Sequence, residues 1–338
     1  VTRVLFLWPP EPPLRAYLAE GVAAFPQIEL IFPPAASEEE LLALAPRAHV
    51  VVGWRPTAEL LAAARKLSLF INPGAGVQHL IGPFRELNKK RPVTLVNGHG
   101  NSYFTAQHAV ALLLALTNRV VLHHNWMAGG RWRLGDAEAA SMPLRGRRVG
   151  LLGYGRVNRQ VHRFLAGFDV EFAALRVAWP ASGGEEPPTP LRKFTEGELN
   201  PFLEYIDTLV LSVPETARTR GLIGAAELAL LGAEGLLVNV ARGAAVDEES
   251  LYEAVRTGTI AGAALDVWYV YRPEADKGGR RYPYYYPFHN LANVVLSPHR
   301  AASPFGDLAR WDEVVENLKR FASGQGELLN VVDLGREY

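Results

Sequence analysis

Short aliphatic and β-branched runs alternate with amphipathic stretches along the chain, and the alternation comes in two blocks. Apolar runs of four to six residues bounded by Gly, Pro or polar clusters mark buried strands. Apolar positions three and four apart mark the helices that cross between them. In the first block the strand-like runs are Val4–Trp8, Ile28–Phe32, His49–Val52, Leu69–Asn72 and Thr94–Asn97, with helix-compatible segments at Glu38–Ala45 and Thr57–Lys66. One long apolar helix is expected from about Thr105 to Met127, then a loop carrying Gly129, Gly130 and Gly135. The second block reads as six strands: Val149–Leu152, Val170–Leu175, Thr208–Val213, Leu236–Val240, Ala261–Asp266 and Val294–Ser297. A last helix, Phe305 to about Phe321, follows and is expected to pack back on the first block.

Strands alternating with crossover helices predict an α/β protein with two open parallel sheets, Rossmann-like or flavodoxin-like. The expected division is 1–101 with 302–338 as one discontinuous domain, and 102–301, whose six strands suit a dinucleotide-binding sheet, as a second that includes the long helix. A length of 338 residues suits two cores.

Charge changes the picture by exclusion. Lys+Arg and Asp+Glu balance at 35 each without a run of one sign, so no electrostatic footprint for nucleic acid or an acidic membrane is expected. The absence of cysteine excludes disulfides, thiolate metal sites and cysteine nucleophiles, and leaves the cytoplasm as the default compartment. The first residues read as a strand broken by Pro9 and Pro10, unlike a secretory signal. His108, Thr117, Asn118 and Arg119 interrupt the most apolar stretch, which therefore reads as a buried helix and a poor membrane span. His123 and His124 are adjacent and point apart on a helix, and His79, His108, His162 and His289 lack a neighbour at ligand spacing; packing or solvation is expected for each, and no metal.

Chemistry enters at the strand ends. The apolar strand that ends at Leu152 runs into Gly153-Tyr154-Gly155-Arg156-Val157 and then a helical pattern, the order in which a pyrophosphate meets tight backbone and a helix N-terminus. Asn158 stands where a third glycine is usual. The next strand ends in Leu175-Arg176 instead of a carboxylate, which favours a 2′-phosphate, hence NADP over NAD. Arg242, Asp266 and His299 each follow an apolar run, and open α/β sheets bind ligands outside the carboxyl ends of their strands.

With Gly74-Ala-Gly-Val77, Val213-Pro214, Thr219-Arg-Gly-Leu-Ile223, Val238-Asn-Val-Ala-Arg-Gly243, Ala261-Gly-Ala-Ala-Leu-Asp-Val267 and Ser297-Pro-His299, the chain resembles the D-isomer-specific 2-hydroxyacid dehydrogenases over nearly its whole length. The resemblance implies an NAD(P)-dependent enzyme that reduces a small, glyoxylate- or hydroxypyruvate-like 2-oxo acid. It implies that Arg242 anchors the substrate and that His299 is the general acid/base. It further implies that Asp266 fixes the nicotinamide carboxamide and that the backbone of Ala75, Gly76 and Val77 cradles the substrate carboxylate. Val213, Pro214, Thr219, Val240 and Ala241 are expected beside the cofactor, and the long helix in a homodimer interface.

One position departs from the family pattern. The glutamate expected five residues after the aspartate, where it pairs with the histidine, is Tyr271, and Glu274 is the nearest carboxylate able to replace it. Without an adjacent anion the imidazolium is less favoured and proton donation weakens as pH rises. Two other readings stay open: a dinucleotide-responsive regulatory protein of the same fold, and a formate-dehydrogenase-like oxidation that needs no proton transfer. Trp54, with Arg55, is a candidate for lining the substrate cleft, and Arg280–Phe288 reads as an aromatic loop packed on itself or as a substrate wall.

Overall fold

The structure is a computed structural model describing residues 1–133, 135–180 and 186–338. It divides into two units, Val1–Asn101 with Pro304–Tyr338, and Ser102–Ser303. The chain returns to the first unit at Pro304, two residues later than expected, because Asp266 binds the backbone N–H groups of Arg300 and Ala301 and keeps that turn with the second unit.

In the first unit β1 (Thr2–Phe6), α1 (Pro12–Gly21), β2 (Ile28–Ile31), α2 (Glu38–Leu44), β3 (Val50–Val52), α3 (Ala58–Ala63), β4 (Leu69–Asn72), α4 (Gln78–Lys90) and β5 (Thr94–Asn97) follow one another. The sheet is parallel with order β2-β1-β3-β4-β5, the flavodoxin-like arrangement. Val50, Val51 and Val52 are all fully buried, as a central strand covered on both faces requires.

The second unit contains α5 (Ser102–Thr117), α6 (Val120–Ala128), α7 (Asp136–Ala139), β6 (Arg148–Leu152), α8 (Arg156–Leu165), β7 (Glu171–Arg176) and β8 (Leu191–Thr195). It continues with α9 (Leu199–Tyr205), β9 (Thr208–Leu211), α10 (Ala225–Leu231), β10 (Leu236–Asn239), α11 (Glu248–Thr257), β11 (Gly262–Leu265) and β12 (Val294–Leu296). Its seven strands are parallel in the order β12-β11-β10-β9-β6-β7-β8, a doubly wound Rossmann sheet whose order reverses between β6 and β9. α12 (Asp312–Ser323) completes the first unit, burying Val314, Val315 and Leu318 in the cluster that holds Val4, Phe6 and Val52.

Three elements differ from the expectation. The single long helix is two, bent by 62°, because Arg119 adopts left-handed backbone (φ 52°) between them. A seventh strand, β8, escaped notice because its sequence Leu-Arg-Lys-Phe-Thr buries only Phe194, as an edge strand does. The last helix starts at Asp312, after a short 3-10 turn over Leu308–Trp311. No single described helix is long and apolar enough to cross a membrane.

Candidate active site

The glycine turn follows β6 at the point where the sheet order reverses. Gly153 has φ 82°, and a Cβ there would lie 2.9 Å from the Ser212 carbonyl oxygen, so only glycine fits. A Cβ on Gly155 would meet nothing within 4 Å, leaving its backbone open to a ligand at the N-terminus of α8. Asn158 does work that the sequence did not reveal. Fully buried, its side-chain amide donates to the carbonyls of Leu152, Gly153 and Val210, tying the turn to β6 and β9. The residues thus fit a dinucleotide pyrophosphate. Arg156 and Val157 open α8, whereas the Tyr154 side chain turns inward, its hydroxyl 2.8 Å from His162 Nδ1, so Tyr154 has only backbone to offer a cofactor.

Arg176 closes β7, with its guanidinium 5.4 Å from the Trp179 ring; Lys193 of β8 lies 5.1 Å from the same ring. Two cations therefore stand where a ribose-binding carboxylate was missing. Val213 and Pro214 follow β9 directly. Thr219 is occupied locally: its hydroxyl donates to the Pro214 carbonyl and accepts from the Thr216 N–H. Val240 and Ala241 are buried in the core beneath Arg242.

Arg242, Asp266 and His299 sit beyond β10, β11 and β12, three neighbouring strands. Arg242 is half-buried, donates to the Ala241 carbonyl at 2.7 Å and forms no ion pair among the described residues, leaving most of its donors for a ligand. His299 has left-handed backbone, φ 56°, rare for a residue with a Cβ. Asp266 holds it there. That carboxylate is buried and accepts from the Ser297 hydroxyl (2.5 Å) and the backbone N–H groups of Arg300 (2.7 Å) and Ala301 (2.9 Å), on either side of the histidine. Burial pushes the Asp266 carboxyl up, but hydrogen bonds from His108, Ser297, Arg300 and Ala301 outweigh it and hold it below the usual range. Its oxygens are thus engaged by the protein. His108, expected only to pack, reaches from α5 to the Ser297 hydroxyl at 2.8 Å and belongs to this network.

Tyr271, and not Glu274, is the partner of His299: its hydroxyl lies 2.8 Å from Nδ1. Desolvation lowers the His299 pKa, Arg242 and Arg300 lower it further, and the Asp266 carboxylate opposes them. Desolvation raises the Tyr271 phenol, with Asp266 and Glu215 adding to it against the Trp268 N–H and Arg242, so the phenol stays neutral in ordinary buffers. The Arg280–Phe288 segment packs against its surroundings: Tyr282 stacks on His289 at 4.3 Å, Tyr284 tilts against Trp268 at 5.1 Å, and Glu248 receives the N–H groups of Tyr285 and Tyr286.

In the first unit, the loop after β4 carries Gly74 to Val77. The buried Asn72 side chain donates to the carbonyls of Gly74 and Gly76, and Asn97 to that of Ala75 at 2.8 Å. With three successive carbonyls held this way, the N–H groups of Ala75, Gly76 and Val77 have no acceptor among the described residues. Such a row of free N–H groups suits an anion. Among the described residues no group of three or more His, Asp or Glu is placed to hold a metal ion.

Residues 110–301 match the family model described as D-isomer specific 2-hydroxyacid dehydrogenase, NAD binding domain. The chain belongs to this family. Members similar to it carry different names. It is 31% identical to a D-3-phosphoglycerate dehydrogenase of Archaeoglobus fulgidus over 273 residues, 79% of this chain and 48% of the relative. It is 33% identical to a formate dehydrogenase of Chaetomium thermophilum over 221 residues, 65% of this chain and 59% of the relative. These matches span only about half of the curated relatives' length. A solved NADPH-dependent glyoxylate/hydroxypyruvate reductase of Sinorhizobium meliloti, in complex with NADP and malonate, superposes with a TM-score of 0.72 at 27% identity, covering 99% of this chain and 98% of that one.

Proposed function

We propose that the protein is an NADP(H)-dependent reductase of 2-oxo acids, with Arg242 binding the substrate and His299 supplying the proton. The observation that carries this reading is the array beyond β10, β11 and β12: an arginine without an ion pair among the described residues, and a histidine whose ring is tethered at Nδ1 and whose backbone is clamped by Asp266. A regulatory protein has no need of such a constrained acid/base group.

The Arg242 fork meets the carboxylate and polarises the carbonyl oxygen as charge develops on it. The tether at Nδ1 leaves His299 Nε2 as the proton-bearing atom, from which the new hydroxyl takes its hydrogen. A nicotinamide dinucleotide, when bound at the Gly153–Gly155 turn, supplies the hydride. Arg176, with Lys193 close to the same indole, supports a 2′-phosphate and so NADP. Within the first unit, the N–H groups of Ala75, Gly76 and Val77, which have no acceptor among the described residues, suit a carboxylate. Asp266, its oxygens already engaged, is assigned the role of positioning His299 in preference to holding the carboxamide.

The test is the loss of reduced-nicotinamide absorbance with a panel of 2-oxo acids and either dinucleotide. Turnover with preference for NADPH is expected. Arg242→Ala is expected to lose on the order of a hundredfold or more in kcat/KM while NADPH affinity is retained, and Arg176→Asp to shift preference toward NADH. Dinucleotide binding without turnover of any 2-oxo acid refutes the reading and leaves the regulatory one.

A further inference from the structure

We propose that Trp54, backed by Trp8 and Trp311, forms a shelf for the substrate's side chain, and that the preferred 2-oxo acid carries an aromatic or bulky apolar group instead of being glyoxylate-like. This inference rests on the reading of the protein as a 2-oxo acid reductase and names its substrate class.

The order of the first sheet reverses between β1 and β3, and the crevice at such a switch point, beyond the carboxyl ends of the strands, is where open α/β sheets take ligands. Trp8 lies just beyond β1 and Trp54 just beyond β3. Their ring centroids are 4.7 Å apart, and Trp311 completes the cluster at 5.6 Å from Trp8 and 6.2 Å from Trp54. Trp311 is buried and backs the group, whereas Trp54 is 41% exposed. A large apolar ring left open at a ligand crevice is surface waiting to be covered.

The shelf lies beside the anion seat. A Cβ built on Gly74 would be 3.5 Å from the Trp54 Nε1 atom, and Gly74 opens the loop whose next three N–H groups have no acceptor among the described residues. His79 Nε2 reaches the Trp54 carbonyl oxygen at 2.5 Å, fixing this backbone to the first turn of α4, the helix into which the loop runs. In a 2-oxo acid the side chain begins two carbon–carbon bonds from the carboxylate carbon, about 3 Å along the chain. An acid seated on the loop therefore brings its side chain within reach of the indole. Glyoxylate, with only hydrogen there, leaves the ring uncovered.

The experiment compares phenylpyruvate with glyoxylate in the whole protein and in Trp54→Ala, Trp54→Leu and Trp54→Phe. The wild type is expected to favour phenylpyruvate by at least about tenfold in kcat/KM. Trp54→Ala and Trp54→Leu are expected to reduce that preference chiefly by raising KM for phenylpyruvate, and Trp54→Phe to keep most of it. A wild type that prefers glyoxylate overturns the proposal, as does an equal loss on both acids in folded Trp54→Leu. If neither these two acids nor any other 2-oxo acid of the panel is reduced, the functional reading fails separately, and the shelf is judged by quenching of tryptophan fluorescence. Quenching by phenyllactate in the wild type that vanishes in Trp54→Leu supports it; quenching absent, or unchanged in the variant, overturns it.

Discussion

His299, the proton donor in the proposed reaction, shows how a single residue is held in place. Left-handed backbone costs a residue with a Cβ on the order of 1–2 kcal/mol, and here the Asp266 hydrogen bonds to Arg300 and Ala301 offset it. Its other constraint is the neutral Tyr271 hydroxyl, which orients the ring without favouring the imidazolium. Reduction needs the protonated ring, so its rate is expected to fall as pH rises through a His299 pKa already below the usual value. Tyr271→Glu restores an anion at that position and is expected to move this limb of the kcat/KM profile upward by about one to two pH units; an unmoved limb contradicts the pairing. The placement of Arg242 and His299 beyond strand ends was legible in the sequence because each follows an apolar strand in a recognisable run. Asn72, Asn97, Asn158 and His108 were not, because their importance depends on which carbonyls or hydroxyls they meet in space.

Among the elements, α8 carries a buried histidine with a different task. His162 is fully enclosed, hydrogen-bonded to Tyr154 at Nδ1 and to Thr189 at Nε2, and packed 3.9 Å from the Phe172 ring. It thereby joins the glycine turn to the segment leading into β8. Desolvation lowers its pKa to about 4. The unfolded chain takes up a proton near pH 6.5 and the folded protein does not until about pH 4, so the contribution is complete above the unfolded value and is lost as pH falls between the two. The loss amounts to about 3 kcal/mol at the acid end. Urea unfolding at pH 7 and near pH 4.5 is expected to show this slope in the wild type and a flatter one in His162→Leu. Strand positions were legible wherever both faces are apolar; β8 was missed because its edge position lets Arg192 and Lys193 face outward. The bend between α5 and α6 was hidden because both halves are apolar, and a left-handed Arg119 leaves no mark in the pattern.

At the scale of the whole molecule, the two-sheet architecture was readable from the rhythm of strands and helices, while the exact crossing points depended on hydrogen bonds such as those of Asp266. α6 has no buried residue and exposes Val120, Val121 and Met127, with Trp132 beyond it, in the stretch where the sequence leads to the expectation of a homodimer interface. Sedimentation is expected to give a dimer for the wild type and a monomer for the Val121→Glu, Met127→Glu double variant; unchanged mass in the variant rules out this face. The insertion of the second unit within the first also sets an order of birth. About two hundred residues separate Asn101 from Pro304, and at about 5–20 residues per second a ribosome needs roughly 10–40 s to make them. Throughout that interval the nascent first sheet has no α12 to cover Val4, Phe6 and Val52. The inserted unit can close while its host is still unfinished, so the first unit is expected to keep this apolar face uncovered until the chain returns to it, and a pause in translation before Pro304 is expected to prolong that exposure.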